Sequence, residues 1–130
     1  MELTNADLSV HGLKSAEILL EKGYPPEIAE AVKMHNEKAH GRKRSDRFHK
    51  ALAAGETITG LIVATALVYP DKKLASVKPS SIVKRMKEKA FAASVDRDII
   101  RECEQVGIPL PEFAELALNA MRAVSDQLGL

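Results

Sequence analysis

The chain has 130 residues, of which 45% are hydrophobic and 28% charged, and its formal net charge is +1. This length predicts one domain, over residues 1–130, that buries about two-thirds of the surface of its unfolded chain. A net charge near zero argues against nucleic acid as a partner, because no positive field attracts phosphates. The single cysteine, Cys103, excludes a disulfide within the chain and favours a reducing, cytoplasmic location.

The first ten residues, MELTNADLSV, lack the basic and apolar segments of a signal peptide. The longest apolar run, ITGLIVATALVY (Ile58–Tyr69), is shorter than the roughly 20 residues that a membrane-spanning helix needs. We therefore expect this run to form a buried helix, and we expect no membrane partner.

Two helices are predicted near the start of the chain. The first covers His11–Lys22 and ends at Gly23, because glycine readily takes the left-handed conformation that follows many helices. Pro25 and Pro26 open the second, since proline fits the first turn of a helix. Its apolar stripe consists of Ile28, Ala31, Val32 and His35. This spacing directs His35 towards the interior.

A long third helix follows a basic loop, HGRKRSD (His40–Asp46). Asp46 is suited to cap the start of this helix, which runs to about Val68 and stops at Pro70. One face of it carries Leu52, Glu56, Thr59 and Val63. A carboxylate on such a face requires a cation, a backbone donor or a metal, unless it lies at the edge and reaches solvent.

Three further helices are predicted beyond PDKKLASVKPSS, which is a linker or a tight loop. The fourth starts at Pro79 or Ser80 and reaches about Phe91, and the fifth covers Arg97–Val106. The sixth, Pro111–Leu128, has an apolar stripe of Phe113, Leu116, Ala117, Ala120, Met121 and Val124. Because no strand-like alternation occurs, we expect an all-α bundle of about six helices with short connections.

The candidate residues each have an ordinary structural explanation as well. His11 in a first turn suits a surface or capping role, and His35 suits a core histidine as well as a metal ligand. His35 and His40 are five residues apart, which is not the i, i+4 spacing of a zinc-protease helix. Cys103 is expected to pack in the core rather than act as a nucleophile.

Two glycines and several cations are further candidates for parts of a site. Gly55 and Gly60 inside a helix suggest a close helix approach, or open space near Glu56. The cations of the basic loop and of residues 72–89 are usually solvated, but they could also attract a phosphate-bearing ligand. The candidates for phosphate binding are Arg42, Arg44 and Lys84.

Three segments together carry a resemblance to a known family. They are HGLKSAEILLEKGYPPEIAEAVKMHN, KALAAGETITGLIVATALV and KKLASVKPSSIVKRMKEKAFAASVDRDIIRE. In this order and spacing, over nearly the whole chain, they resemble the C-terminal two-thirds of bacterial HD-superfamily metal-dependent phosphohydrolases.

This resemblance implies an all-helical, HD-like domain with a divalent metal centre holding Mn, Fe, Ni, Mg or Zn. The implied metal ligands are His11, His35 and Glu56, the last at, or one residue from, the position of the family's late aspartate. The metal would lower the pKa of a bound water that attacks a phosphoester. Catalytic residues are left unassigned.

The chain departs from the family in lacking any His-Asp dipeptide. The resemblance places that pair just before Met1, so we expect an N-terminally truncated HD-like domain with weak or no phosphohydrolase activity. Apolar faces left uncovered on the helices that start at His11 and Ser45 predict a homo-oligomer, with a dimer as the expected order. A small phosphorylated molecule would be the substrate. The alternative is a non-catalytic helical interaction or regulatory module that self-associates.

Overall fold

The computed structural model describes Asp7 and residues 9–130. Within this part of the chain all regular structure is helical, which confirms the all-α prediction. The helices are α1 (Leu13–Glu21), α2 (Pro26–Met34), α3 (Glu37–His40), α4 (Arg47–Leu67), α5 (Pro79–Lys87), α6 (Arg97–Gln105), α7 (Leu110–Ala123) and α8 (Ser125–Leu128), with a 3₁₀ turn at Leu74–Ser76. The segment MELTNADLSV, in which the sequence predicts no signal peptide, lies mostly outside the described residues.

The chain forms two compact units, with the boundary inside α4. The first unit extends to Ala53 and holds α1, α2, α3 and the start of α4, and the second covers Ala54–Leu130. We describe each unit separately. One domain over residues 1–130 stays a prediction.

In the first unit, α1 packs against α2, and a short turn connects the two helices. Gly23 has φ +79°, and the amides of Gly23 and Tyr24 each donate to carbonyls of the last turn of α1 at 3.0 Å. Pro26 is the first residue of α2. The glycine stop and proline start therefore act as predicted, and they fix the register in which the two helices meet.

Arg44 caps the C-terminal end of α2 through hydrogen bonds to backbone carbonyls. Its side chain is 3% exposed, and its guanidinium donates to the carbonyls of Met34 at 3.0 Å and His35 at 3.1 Å. Its Nη2 atom also lies 3.5 Å from the Glu37 carboxylate. Arg44 thus satisfies carbonyls that the end of a helix leaves unpaired.

Asp46 caps α4, as the sequence predicts. Its Oδ1 atom accepts hydrogen bonds from the amides of Phe48 at 2.8 Å and His49 at 3.3 Å. The helix ends at Leu67, three residues before Pro70.

Replacing Asp46 with alanine is expected to lower the free energy of unfolding by about 1 kcal/mol, because two amides at the start of α4 lose their acceptor. Urea denaturation followed by circular dichroism measures this loss. Asp46→Asn is the matched control, since asparagine caps as well as aspartate does. An alanine variant as stable as the asparagine variant would contradict the capping role.

The second unit has a continuous core around the buried face of α4. The largest fully buried aliphatic side chains are Ile58, Leu61, Ile62, Leu74, Val77, Ile82, Ile100 and Leu118. Leu74 and Val77 lie in the segment predicted to be a linker or tight loop. Arg122 holds that segment by donating to the carbonyls of Leu74 at 3.1 Å and Ala75 at 3.3 Å, and to that of Val77.

The predicted apolar stripe of the last helix is wrong in phase. The buried residues of α7 are Leu110, Phe113, Ala114, Leu118 and Met121, whereas Leu116 and Val124 are 52% and 39% exposed. Both stripes have helical spacing and share Phe113 and Met121, so periodicity alone does not choose between them. Packing of α5 and α6 onto α7 selects the side that includes Ala114 and Leu118.

α5 ends at Lys87, four residues earlier than predicted, and turns connect it to α6. Arg97 stabilises this connection through hydrogen bonds from its guanidinium. Its acceptors are the backbone carbonyls of Arg85, Glu88, Phe91, Ala92 and Val95. With its five N–H donors, the guanidinium supplies hydrogen bonds to carbonyls at the point where the helical hydrogen bonds of α5 end.

One helix in the described part, Arg47–Leu67, is long and apolar enough to cross a membrane by length and composition alone. Core helices of soluble proteins pass the same test. The buried residues Ile58, Leu61 and Ile62 lie within this helix and belong to the core of the second unit.

Candidate metal-binding histidine pair

His11 lies in the turn that leads into α1. Its amide donates to the carbonyl of Asp7 at 2.9 Å, and the next residue, Gly12, has φ +86°. Residues with a Cβ rarely adopt this conformation, so glycine allows the chain to turn sharply between His11 and the helix. The prediction placed His11 in the first turn of the helix, and the structure places it two residues before Leu13.

His35 directly follows the last residue of α2. Its ring is half-buried, and its Nδ1 atom forms a short hydrogen bond with the carbonyl of Val32. Because a carbonyl only accepts, Nδ1 must carry the hydrogen and donate. In the neutral ring this leaves Nε2 with a free lone pair, which is the form of histidine that binds metals.

The two histidines meet although they are 24 residues apart in the sequence. Their Nε2 atoms lie 2.8 Å apart, and their rings are edge-to-face with centroids 4.7 Å apart. Asn36 fixes the backbone at this point, because its side-chain amide donates to the carbonyl of His11 at 3.1 Å. Packing of α1 on α2 therefore brings together two of the three predicted metal ligands.

With both rings neutral, the 2.8 Å contact is a hydrogen bond in which His11 Nε2 donates to His35 Nε2, since His35 Nδ1 carries the hydrogen of its own ring. A metal ion shared by the two nitrogens would replace that hydrogen and hold them slightly further apart. With metal–nitrogen bonds of about 2.1 Å, nitrogens at a right angle lie about 3.0 Å apart, and nitrogens at the tetrahedral angle about 3.4 Å apart. The observed 2.8 Å is closest to the right-angle arrangement. The bond from His35 Nδ1 to Val32 is also the type of supporting hydrogen bond that orients ligand histidines in metal sites.

Glu56 belongs to the second unit and is exposed. The Thr57 hydroxyl donates to its carboxylate at 3.3 Å. Of the two explanations that the sequence left open, its exposure matches a side chain that reaches solvent. A Cβ added to Gly55 would meet nothing within 4 Å, which matches open space near Glu56, the second of the two predicted explanations. A Cβ added to Gly60 would lie 3.5 Å from Val95, an ordinary contact distance.

The described residues contain no group of three or more His, Cys, Asp or Glu side chains arranged to hold a metal. The two histidines therefore belong to no such group within the described residues. His40 is separate from this pair, and its Nδ1 atom accepts from the amide of Arg42 at 3.1 Å. Desolvation, followed by the nearby charges of Arg42 and Lys33, holds the pKa of His40 below its usual value.

The three predicted phosphate ligands lie in different surroundings. Arg42 is exposed and forms an ion pair with Glu30 at 2.9 Å, while Arg44 is buried against backbone carbonyls. Lys84 is exposed and lines a cavity in the second unit together with Tyr69 and Ser81. Sequence reasoning missed these two hydroxyl residues, because neither lies in a recognisable motif.

Cys103 is fully buried in the core of the second unit. Burial raises the pKa of its thiol, so the reactive thiolate is disfavoured. This agrees with the predicted packing role.

Comparison of the chain with protein-family models, with curated proteins and with solved structures gave no match.

Proposed function

We propose that the chain is an HD-type metal-binding helical domain whose phosphohydrolase activity on a small phosphoester is weak or absent. The 2.8 Å contact between the Nε2 atoms of His11 and His35 is the observation that best supports metal binding. The absence of a His-Asp dipeptide from the sequence supports weak activity, since two histidines alone leave most positions on a metal to water.

The residues of the chain have separate roles in this proposal. His11 and His35 bind the ion through Nε2, the carbonyl of Val32 keeps the His35 ring in the binding tautomer, and Asn36 holds the backbone at His11. A bound divalent metal lowers the pKa of a coordinated water and so supplies a nucleophile near neutral pH. The imidazole ligands favour Zn, Fe or Ni over Mg, which prefers oxygen ligands.

Titration of the chelator-treated protein with Zn²⁺ or Ni²⁺ in a calorimeter is expected to give one ion bound per chain. His35→Ala should weaken this binding at least about tenfold, because one of two imidazole ligands is lost. His49→Ala is the matched control and should bind as the wild type does. Equal affinities of the three proteins, or no binding, would contradict the metal site.

Hydrolysis of p-nitrophenyl phosphate by the metal-loaded protein tests the catalytic part separately. We expect turnover no faster than that of the free metal ion. Metal-dependent turnover that is abolished in His35→Ala would show instead that the pair supports an active enzyme.

The alternative, a non-catalytic module that self-associates, is favoured by exposed apolar side chains in the first unit. Leu20, Tyr24 and Ile28 are 51%, 50% and 38% exposed around the turn between α1 and α2, and Phe48 is 48% exposed. Burying such side chains between two copies would stabilise a dimer by about 25 cal/mol per Å². Sedimentation equilibrium of the wild type and of a Leu20→Ser, Ile28→Ser variant tests this. A wild type that is monomeric at all concentrations would contradict it.

We also propose a cytoplasmic location, on the grounds of the single cysteine.

A further inference from the structure

A cavity of about 290 Å³ lies in the second unit, between the end of α4 and the α5 helix. Val68 and Pro70 form part of its apolar wall, and Tyr69, Ser81, Lys84 and Arg85 contribute polar groups. Its volume is near the lower end of the range for small-molecule sites, about 300–1,000 Å³. The cavity is therefore suited to a small ligand with both a polar and an apolar part.

The two hydroxyls in this cavity leave one hydrogen available for a ligand. The oxygens of Tyr69 and Ser81 are 2.7 Å apart, so one hydroxyl donates to the other. The amide of Lys78 also donates to the Tyr69 oxygen, at 3.4 Å. Whichever hydroxyl accepts within the pair keeps its own hydrogen free to donate to a third group.

The segment that surrounds the cavity is strongly cationic. Residues 69–89 contain seven lysine or arginine residues and two acidic residues, although the whole chain has 19 basic and 18 acidic residues. The remainder of the chain thus carries net negative charge, with 12 basic and 16 acidic residues. The second unit as a whole has ten basic and ten acidic residues, so the positive charge is concentrated in this segment and attracts an anion there.

Lys84 is the cation in the cavity that is best placed to bind such an anion. Arg85 already forms an ion pair with Glu88, and its guanidinium lies 4.2 Å from the centre of the Phe91 ring. The other acidic residue of the segment, Asp71, accepts hydrogen bonds from Ser76 and from the Lys73 amide. Among the described residues Lys84 has no ion pair.

We infer that this cavity binds the phosphate group of a small phosphate ester. Lys84 supplies the positive charge, the Tyr69–Ser81 pair donates a hydrogen bond, and Val68 and Pro70 contact the organic part. A phosphate fits these groups because it combines nearly two negative charges with three acceptor oxygens. The site lies wholly within the second unit and does not depend on the histidine pair.

An NMR titration of the full chain in EDTA tests this inference separately from metal binding. Phenyl phosphate is the ligand, and inorganic phosphate and phenol are tested alongside it. We expect saturable shifts of the amides of residues 68–85 with phenyl phosphate, weaker binding of inorganic phosphate, and no binding of phenol. Phenol that binds as tightly as phenyl phosphate would overturn the phosphate site.

Lys87→Gln is the matched control for Lys84→Gln, because both lysines are exposed on α5 but only Lys84 lines the cavity. Lys84→Gln should weaken phenyl phosphate binding about tenfold, as expected for loss of a charged hydrogen bond. Lys87→Gln should weaken it less than about twofold, since an exposed charge away from the site is screened. Equal losses in the two variants would show attraction to the charged segment alone and overturn the inference. Tyr69→Phe, which keeps the ring but removes the hydroxyl, should also weaken binding, and unchanged affinity would exclude the hydroxyl pair.

Discussion

Replacing Arg97 with methionine is expected to lower the free energy of unfolding by about 3 kcal/mol. The guanidinium donates to five backbone carbonyls in and after the end of α5, and methionine would remove all of these bonds. The carbonyls of Arg85, Glu88 and Ala92 would keep a backbone amide as donor, so the loss falls mainly on those of Phe91 and Val95. Unpaired, partly buried carbonyls cost more than the bonds themselves contribute, because they have also lost water. Urea denaturation followed by circular dichroism measures the change.

Arg101→Met on the same helix, α6, provides the control. Arg101 is 49% exposed and pairs with Glu104 at 2.9 Å, and exposed pairs of this kind contribute about 0–1 kcal/mol. Equal destabilisation by the two substitutions would show that the carbonyl contacts of Arg97 contribute nothing particular to stability.

Replacing Gly12 with alanine is expected to cost about 2–3 kcal/mol and to weaken metal binding. The φ of +86° disfavours any residue with a Cβ by about 1–2 kcal/mol. The added Cβ would also lie 3.1 Å from His35 Cε1 and 3.2 Å from the Val32 carbonyl oxygen. The His35 ring and the Val32 carbonyl would have to shift away from the new Cβ, which disturbs the nitrogen that we expect to bind the ion. Thermal denaturation and a Zn²⁺ titration measure the two effects.

Gly23→Ala separates backbone strain from this crowding. Gly23 has a similar φ of +79°, but a Cβ added there would meet nothing within 4 Å. We expect a loss of about 1–2 kcal/mol with unchanged metal affinity. If the two variants behave alike in both measurements, the space beside the His35 ring is not what Gly12 provides.

The helix boundaries that the sequence predicts well are those fixed by local chemistry. Gly23 ends α1, Pro26 opens α2 and Asp46 caps α4, each through its own backbone or side chain. The boundaries and faces that the sequence missed depend on distant residues. α5 ends early at a connection held by Arg97, and the buried side of α7 is selected by the helices that pack on it.

The same distinction between local chemistry and contacts with distant residues applies to the candidate site. The predicted stripe of α2 is only partly correct, because the structure buries Ala29, Ala31 and Met34 and leaves Ile28 38% exposed. The ring of His35, which the stripe directed inward, is half-buried. The contact with His11 depends on how α1 and α2 pack, which periodicity does not specify. The sequence also does not fix which side of α4 faces the core, so the exposure of Glu56 does not follow from its neighbours in the sequence. Tyr69 and Ser81 lie 12 residues apart on either side of a connection, and only folding brings their hydroxyls together.

The protonation of the histidine rings tests the account most directly. Long-range ¹H–¹⁵N spectra of the chelator-treated protein near pH 7.5 should show the His35 hydrogen on Nδ1, because that atom donates to Val32. With one equivalent of Zn²⁺, the Nε2 signals of His11 and His35 should shift together, while His35 Nδ1 stays protonated. A His35 ring protonated on Nε2, or zinc shifts confined to His40 and His49, would contradict the proposed metal site.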